Sequence, residues 1–379
     1  MKNLGNRGFA MPVAIFALVV ILSMVTGMFF TTRQDGRIAS ATESSRLAFY
    51  AAERGMVDVL DDWSTLGLNS LSQWDSETFV DTVPEGIWSV EVYRAGTNLF
   101  FLESVGNVNR GGAILSDGER HLGMMVRALT PELEPPAAIV TRGGINMQGK
   151  AAIHGEDMDP TEWSGLCTGS FTDKPGLVTD DASQISIGAQ SEITGTPQYV
   201  EDTSISDSTF SQFGEFSWDE LTGMAGKIVS GGTISDVGPS LVGGACNVSD
   251  LFNWGDPLNP SNPCGSYAPM IHVQGDLRIQ SGGVGQGILL VDGTLDLRGN
   301  FTFYGLIIVQ GNFETQGSGN RIIGGVLAGN ASLQTQSLVG GSVVQTSTCA
   351  VRRAIENNPV LNRPRPLAQR SWVDLSLVR

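Results

Sequence analysis

Four glycines, Gly275, Gly293, Gly311 and Gly329, stand 18 residues apart, and their neighbours repeat with them. Two positions before each lie Val273, Val291, Val309 and Leu327; two positions after lie Leu277, Leu295, Phe313 and Ala331. Ile279, Leu297, Thr315 and Leu333 extend the register on one side, and Ile271, Leu289 and Ile307 on the other. Alternation in steps of two is the period of a strand, and recurrence at a fixed spacing with a turn at glycine describes stacked coils. A single coil cannot bury its inner face, so stacking makes the core and like residues form ladders along it. An early copy runs Met147, Gly149, Ala151, Ile153, with weaker fragments at Ile185–Ile187, Ile193–Gly195 and Val229–Ile234. Residues 137–350 are therefore expected to form a parallel β-helix with coils of about 18 residues and inserted polar loops. The largest insertion is the proline-rich stretch from about 235 to 268.

The other end of the chain obeys a different rule. Gly8 to Thr32 contains no charged side chain, and its apolar run is about 20 residues, enough for a membrane helix of about 30 Å. Lys2 and Arg7 precede it, which favours a cytoplasmic amino terminus. No A-x-A-like site follows Phe30, so the segment is expected to be retained. Beyond it, Ile38, Ala41, Ala48, Phe49, Ala52, Met56, Val59, Leu60 and Trp63 recur by threes and fours between charged residues. That predicts an amphipathic continuation of the same helix, bent at Gly36 and ended by Gly67.

These residues resemble a known amino terminus. A short basic leader, Gly8-Phe9, a hydrophobic stretch and an amphipathic extension are similar to a type IV prepilin. Within that superfamily, R-G-F-A at Arg7–Ala10 and L-A-F-Y-A-A-E-R-G-M at Leu47–Met56 resemble the PilX-type minor pilins. The resemblance implies a leader, 1–8, removed by a prepilin peptidase after Gly8, and methylation of the new amino terminus at Phe9. Most pilins carry a glutamate as the fifth mature residue, where this chain has Val13. An unpaired carboxylate is expensive in lipid, so its absence suits a subunit that greets no incoming neighbour. The implied role is assembly initiation or the tip, among other minor and major pilins, the assembly machinery and the inner membrane.

Between about 76 and 130, Ile87–Tyr93, Leu99–Val105 and Leu122–Leu129 read as strands, with a turn at Gly96-Thr97-Asn98. E-S-V-G-N-V-N-R-G-G and E-R-H-L-G-M-M-V-R also look like that family's meander. The expected fold class is α+β: a long amino-terminal helix with a small antiparallel sheet, followed by the β-helix. The expected divisions are leader 1–8, transmembrane helix 9–32, pilin-like helix and sheet 33–130, linker 131–136, β-helix 137–350 and a basic tail 351–379. Six arginines against Glu356 and Asp374 make the tail basic, and it is expected to pack along the acidic domain and cap the last coil.

Charge and cysteine complete the reading. A net charge of −16 repels phosphate backbones and excludes nucleic acid as a partner. The four cysteines all follow the membrane segment, which favours disulfides; four cysteines allow three pairings. Cys246 and Cys264 bracket the proline-rich loop and are the natural local pair, in which case Cys167 with Cys349 would join early and late coils; the sequence leaves the connectivity open. Zinc is the rival, but there is no C-x-x-C and no histidine near a cysteine. Glu156, Asp157, Asp159 and Glu162 form the densest acidic cluster, yet lack the pattern of a twelve-residue calcium loop. Asp180-Asp181 and Glu201-Asp202 read as solvated turns, and His121, His154 and His272 as surface or capped histidines. No catalytic residues, cofactor or metal are expected. Two functions fit: a minor pilin with an adhesive module (or a type II secretion pseudopilin), and a membrane-anchored β-helix that binds or acts on extracellular polysaccharide.

Overall fold

A computed structural model describes residues 10–109, 117–128, 131–167, 169, 171–329, 336–362, 364–367 and 372–377. The chain divides into two compact units, Met1–Ala128 with Arg363–Arg379, and Leu129–Asn362. It is an α+β protein, with one long apolar helix and a body made mostly of strands.

In the first unit, α1 (Ala10–Asp61) runs for 52 residues. Gly36 does not interrupt it, because a lone glycine costs only about 1 kcal/mol of helix propensity and every backbone bond is kept. The helix stops short of Leu66, and Gly67 then turns the chain at φ 66°. The sheet that follows is antiparallel and sequential: β1 (Ser76–Val83), β2 (Gly86–Arg94), β3 (Leu99–Val108) and β4 (Gly118–Ala128). β1 escaped the sequence reading because it is an edge strand exposed over most of its length. One face of β2 to β4 buries Trp88, Val90, Val92, Phe100, Leu102 and Val126 against Val59 and Trp63 of α1.

Helix and sheet meet backbone to backbone. A Cβ at Gly106 would collide with the Ala48 carbonyl, and one at Gly118 with the Ser44 carbonyl. The Ser104 hydroxyl donates to the Ala52 carbonyl at 2.7 Å. Small residues on both sides, Ser44, Ala48 and Ala52 on α1 and Gly106 and Gly118 on the sheet, make that approach possible.

The basic tail departs from expectation. Its first part is helical, α2 (Thr348–Glu356), in the second unit. Its last part joins the first unit: Pro364–Pro366 and Trp372–Asp374 both pair antiparallel with β4. Proline cannot donate to a ladder, so R-P-R-P is suited to the free edge of a sheet. Trp372 then meets Phe49 edge-on at 5.8 Å.

The second unit is a stack of parallel strands. Its first coil is β5 (Ile139–Arg142), β6 (Ile145–Gly149) and β7 (Ala152–His154), and its second is β8 (Leu177–Thr179), β9 (Ile185–Ile187) and β10 (Glu192–Thr194). β11 (Tyr199–Glu201) lies beyond them. After a crossing segment come β12 (Lys227–Ile234), β13 (Met270–Ile279), β14 (Gly283–Val291), β15 (Leu295–Arg298), β16 (Phe301–Val309), β17 (Phe313–Gln316), β18 (Ser318–Gly329) and β19 (Gln336–Thr346). The 18-residue register holds through Val273, Val291 and Val309, and through Leu277, Leu295 and Phe313, all buried. At the next coil it slips: Val309 pairs with Ala328, and Ile308 with Leu327. A one-residue shift exchanges the two faces of a strand. Val326 and Ala328 therefore point inward, while Leu327, expected in the ladder, lies on the outer face. Leu338, paired with Thr315, takes the place expected of Leu333; Ala331 and Leu333 lie outside the described residues.

The coils are also not stacked in chain order. β18 pairs with β5, and β19 with β6 and β7, so the last coil lies beside the first. The stack reads 199–201, 177–194, 139–154, 318–346, 301–316, 283–298, 270–279, 227–234. The chain begins in the middle, winds to one end, crosses to the other, and winds back. The crossing segment lays Phe210, Phe213, Phe216 and Leu221 over outward-facing Val140, Val178, Leu327, Ile308 and Leu290. Gly329 faces this segment, since a Cβ there would meet the Phe210 ring. Gly293 and Gly311 stack instead: a Cβ on Gly311 would stand 2.6 Å from the Gly293 carbonyl carbon.

Two outcomes test this packing. Val291→Asp places an unpaired charge where the side chain is fully buried, and should cost several kcal/mol or abolish soluble, protease-resistant expression. Gly106→Val should lower the melting temperature of the full-length chain by lifting α1 from β3, whereas Gly27→Val, with nothing within 4 Å, should leave it unchanged.

Candidate functional site

The first half of α1 is long and apolar enough to cross a membrane. Its side chains from Met11 to Thr32 are all exposed, Val13 included. Its polar groups are satisfied within the helix, as lipid requires: the Ser23 hydroxyl donates to the Val19 carbonyl and that of Thr26 to the Leu22 carbonyl, both at 2.7 Å. From Ser44 onward one stripe is buried. The expected processing residues, Gly8 and Phe9, lie outside the described residues.

Both disulfides form. Cys246–Cys264 has its Cα atoms 4.9 Å apart, and Cys167–Cys349 has them 5.7 Å apart. The second links the loop after the first coil to α2 after the last, across 182 residues of sequence but between neighbouring coils. Asp159 lies near its sulfurs, but with each sulfur bonded to the other no thiolate remains for zinc.

The proline-rich loop is held from below. Lys227, 4% exposed, donates its ammonium to the Val248 carbonyl at 3.0 Å and to the Asp250 carbonyl. Burial pushes this amine below the usual lysine range, against the pull of Asp250.

The acidic cluster disperses into structural roles. Glu156 accepts from the Thr194 hydroxyl at 2.6 Å, which holds its carboxyl below the usual range. Asp157 accepts from the Thr348 amide at 3.0 Å. Glu162 lies beside the Tyr304 phenol, which burial, and then that carboxylate, pushes well above the usual tyrosine range. Asp180 accepts from the Gly143 amide, Asp181 from Ser183, Glu201 from the Ala182 amide, and Asp202 from Ser204. The histidines are equally engaged: His121 between Glu103 and Glu119, His154 with Thr194, and His272 with Asp292 at 3.0 Å.

One site was not foreseen. On the face formed by β13, β15 and β17, the outward residues Arg278, Asp296 and Glu314 stand in register on successive coils. With Thr233, Asp276 and Thr294 they line a groove of about 300 Å³. Asp296, 5% exposed, accepts on one oxygen from Arg278 at 2.8 Å and from Arg298 at 2.9 Å. Its other oxygen is buried away from the groove's solvent and has no hydrogen-bond partner among the described residues. The repeat is legible through its inward residues; outward ones between them read as an ordinary solvated surface.

No family model, curated protein or solved structure matches the chain.

The loop clamp gives a prediction. Lys227→Met removes the ammonium that holds two carbonyls, so residues 240–258 should become open to limited proteolysis while the 270–316 core keeps its resistance. Equal resistance of the loop in both proteins would show that the disulfide alone secures it.

Proposed function

We propose that this chain is a minor pilin of a type IV pilus system, anchored by α1 in the inner membrane, whose second unit is a parallel β-helix serving as a tip or surface adhesive module. The observation that carries the reading is α1 itself. One unbroken helix is apolar and exposed for its first half and amphipathic for its second, and the second half packs on a four-stranded antiparallel meander. A plain anchor needs no such continuity between the membrane segment and a folded head. Small residues at the contact, with Gly106 in the phrase that resembles the pilin meander, support the same reading. Val13 in place of a carboxylate favours an initiating or terminal position over the shaft.

The second reading, a membrane-tethered polysaccharide-binding β-helix, is favoured by the carboxylate- and arginine-lined groove alone. The amino terminus separates the two. Mass spectrometry of the protein from its native membrane should find N-methyl-Phe9, and Gly8→Glu should block processing. An intact Met1, or normal maturation of the Gly8→Glu variant, would remove the pilin assignment.

A further inference from the structure

The sheet of the first unit treats its two edges differently. The outer edge of β4 is covered by the chain's own tail, which pairs there at Pro364–Pro366 and again at Trp372–Asp374. The edge of β1 is left open: among the described residues β1 pairs with β2 alone, in unbroken register from Ser76 to Val83. A free edge presents a row of backbone donors and acceptors to any strand that can lie beside it. Proline, lysine or a bulge commonly blunts such an edge, and Ser76–Val83 carries none of these. Val80, at its middle, is 64% exposed.

The core beneath is open on the same side. Where the tail arrives, Trp372 packs on Phe49. Beside β1, Leu66, Phe79 and Val83 pack against the core but stay half-buried. A groove of about 600 Å³ runs there between the end of α1 and β1, with Val59, Leu66, Phe79 and buried Trp88 as its apolar part. Its charged part is Asp58, Asp62 and Asp81 against Arg54, and Arg54 is already paired with Asp58 at 2.9 Å. Among the described residues, no cation pairs with Asp62 or Asp81.

The charges decide the occupant. Glu77 and Asp81 alternate with Phe79 and Val83, so they stand on the α1 side of the sheet. Inward charge is the one protective device this edge carries, and it is selective. A second copy of β1 would bring its own Glu77 and Asp81 to the same face, and like charges on neighbouring strands destabilise the pair. A wholly apolar strand would narrow the groove around Asp62 and Asp81 and leave both without partners. A strand with lysine or arginine at alternate positions meets the edge with its backbone and the carboxylates with its side chains.

We propose that the free edge of β1 takes an extended, basic segment of a partner protein as a further strand of the sheet, with its cationic side chains turned to Asp58, Asp62 and Asp81. This goes beyond the pilin reading and is independent of how the amino terminus is processed.

The test is hydrogen exchange and binding of the full-length chain in detergent micelles with three octapeptides: alternating Lys-Val, alternating Glu-Val, and a block of four lysines followed by four valines. The alternating basic peptide should bind and slow exchange at residues 76–83. Asp81→Lys, at an exposed position, should weaken it about tenfold. Asp219→Lys makes the same charge change at an exposed position of the second unit and should leave the affinity within about twofold. Absence of protection at 76–83, or equal binding of the alternating Glu-Val peptide, would overturn the proposal. Equal binding of the block peptide, or equal weakening by the two substitutions, would overturn it by reducing the effect to charge attraction alone. Protection of 76–83 that rises with protein concentration in the absence of peptide would assign the edge to a second copy and overturn it likewise.

Discussion

The second unit depends on one seam, the parallel pairing of its last coil with its first. Val326 on Ile139, Leu338 on Met147 and Val344 on Ile153 carry three inner ladders across it. All six residues are buried. Without β18 and β19, the first coil would expose a row of unpaired backbone groups and half of its apolar inner surface. The early coils therefore wait for residues almost two hundred positions later. Loop closure of that length must be met before its contacts reward it, which makes such a unit slow to fold and gives the seam disulfide a clear purpose. Cys167–Cys349 closes a 182-residue separation at that place, and a cross-link of long span restricts the unfolded chain most.

The crossing segment follows from the same seam. A chain that starts in the middle of a stack and reaches one end must travel to the other before it can wind back. Residues 202–226 make that journey, and their aromatic side chains cover outward-facing valines and leucines that would otherwise be an exposed apolar strip. The same side chains explain why Leu327 and Ile308 can face outward without penalty. One face of each coil is thus covered by this segment, and the face bearing Arg278, Asp296 and Glu314 is left open. In the first unit the corresponding constraint is close approach, since Gly106 and Gly118 let α1 rest directly on the sheet backbone. An unbroken helix then couples an apolar, exposed half to a packed one.

Much of this was legible in the residues. Inner ladders speak through a fixed period, so coils from 270 to 316 were placed correctly to the residue, as were the two cysteine pairs. The membrane-length helix spoke through its lack of charge. What failed did so for physical reasons. A single extra residue in the 318–329 strand reverses inward and outward, and periodicity counted from glycines cannot detect it, because Gly329 serves Phe210 rather than a turn. Coil order is invisible to periodicity altogether, since every coil fits beside every other. The tail was expected to follow charge, but edge pairing with β4 decided its place: its Pro-Arg-Pro suits a free sheet edge. The groove was missed because its residues recur on outward positions, where charge is the commonplace case.

The seam can be tested directly. Val339 and Gln148 are register partners across it, 191 residues apart in sequence. In the double variant Gln148→Cys, Val339→Cys, adjacent strands at about 4.8 Å bring the two sulfurs within bonding reach. Peptide mapping after mild oxidation should find a 148–339 disulfide beside intact 167–349 and 246–264 bonds. Retention of two free thiols at 148 and 339 in otherwise folded, protease-resistant protein would contradict the closure of the last coil on the first.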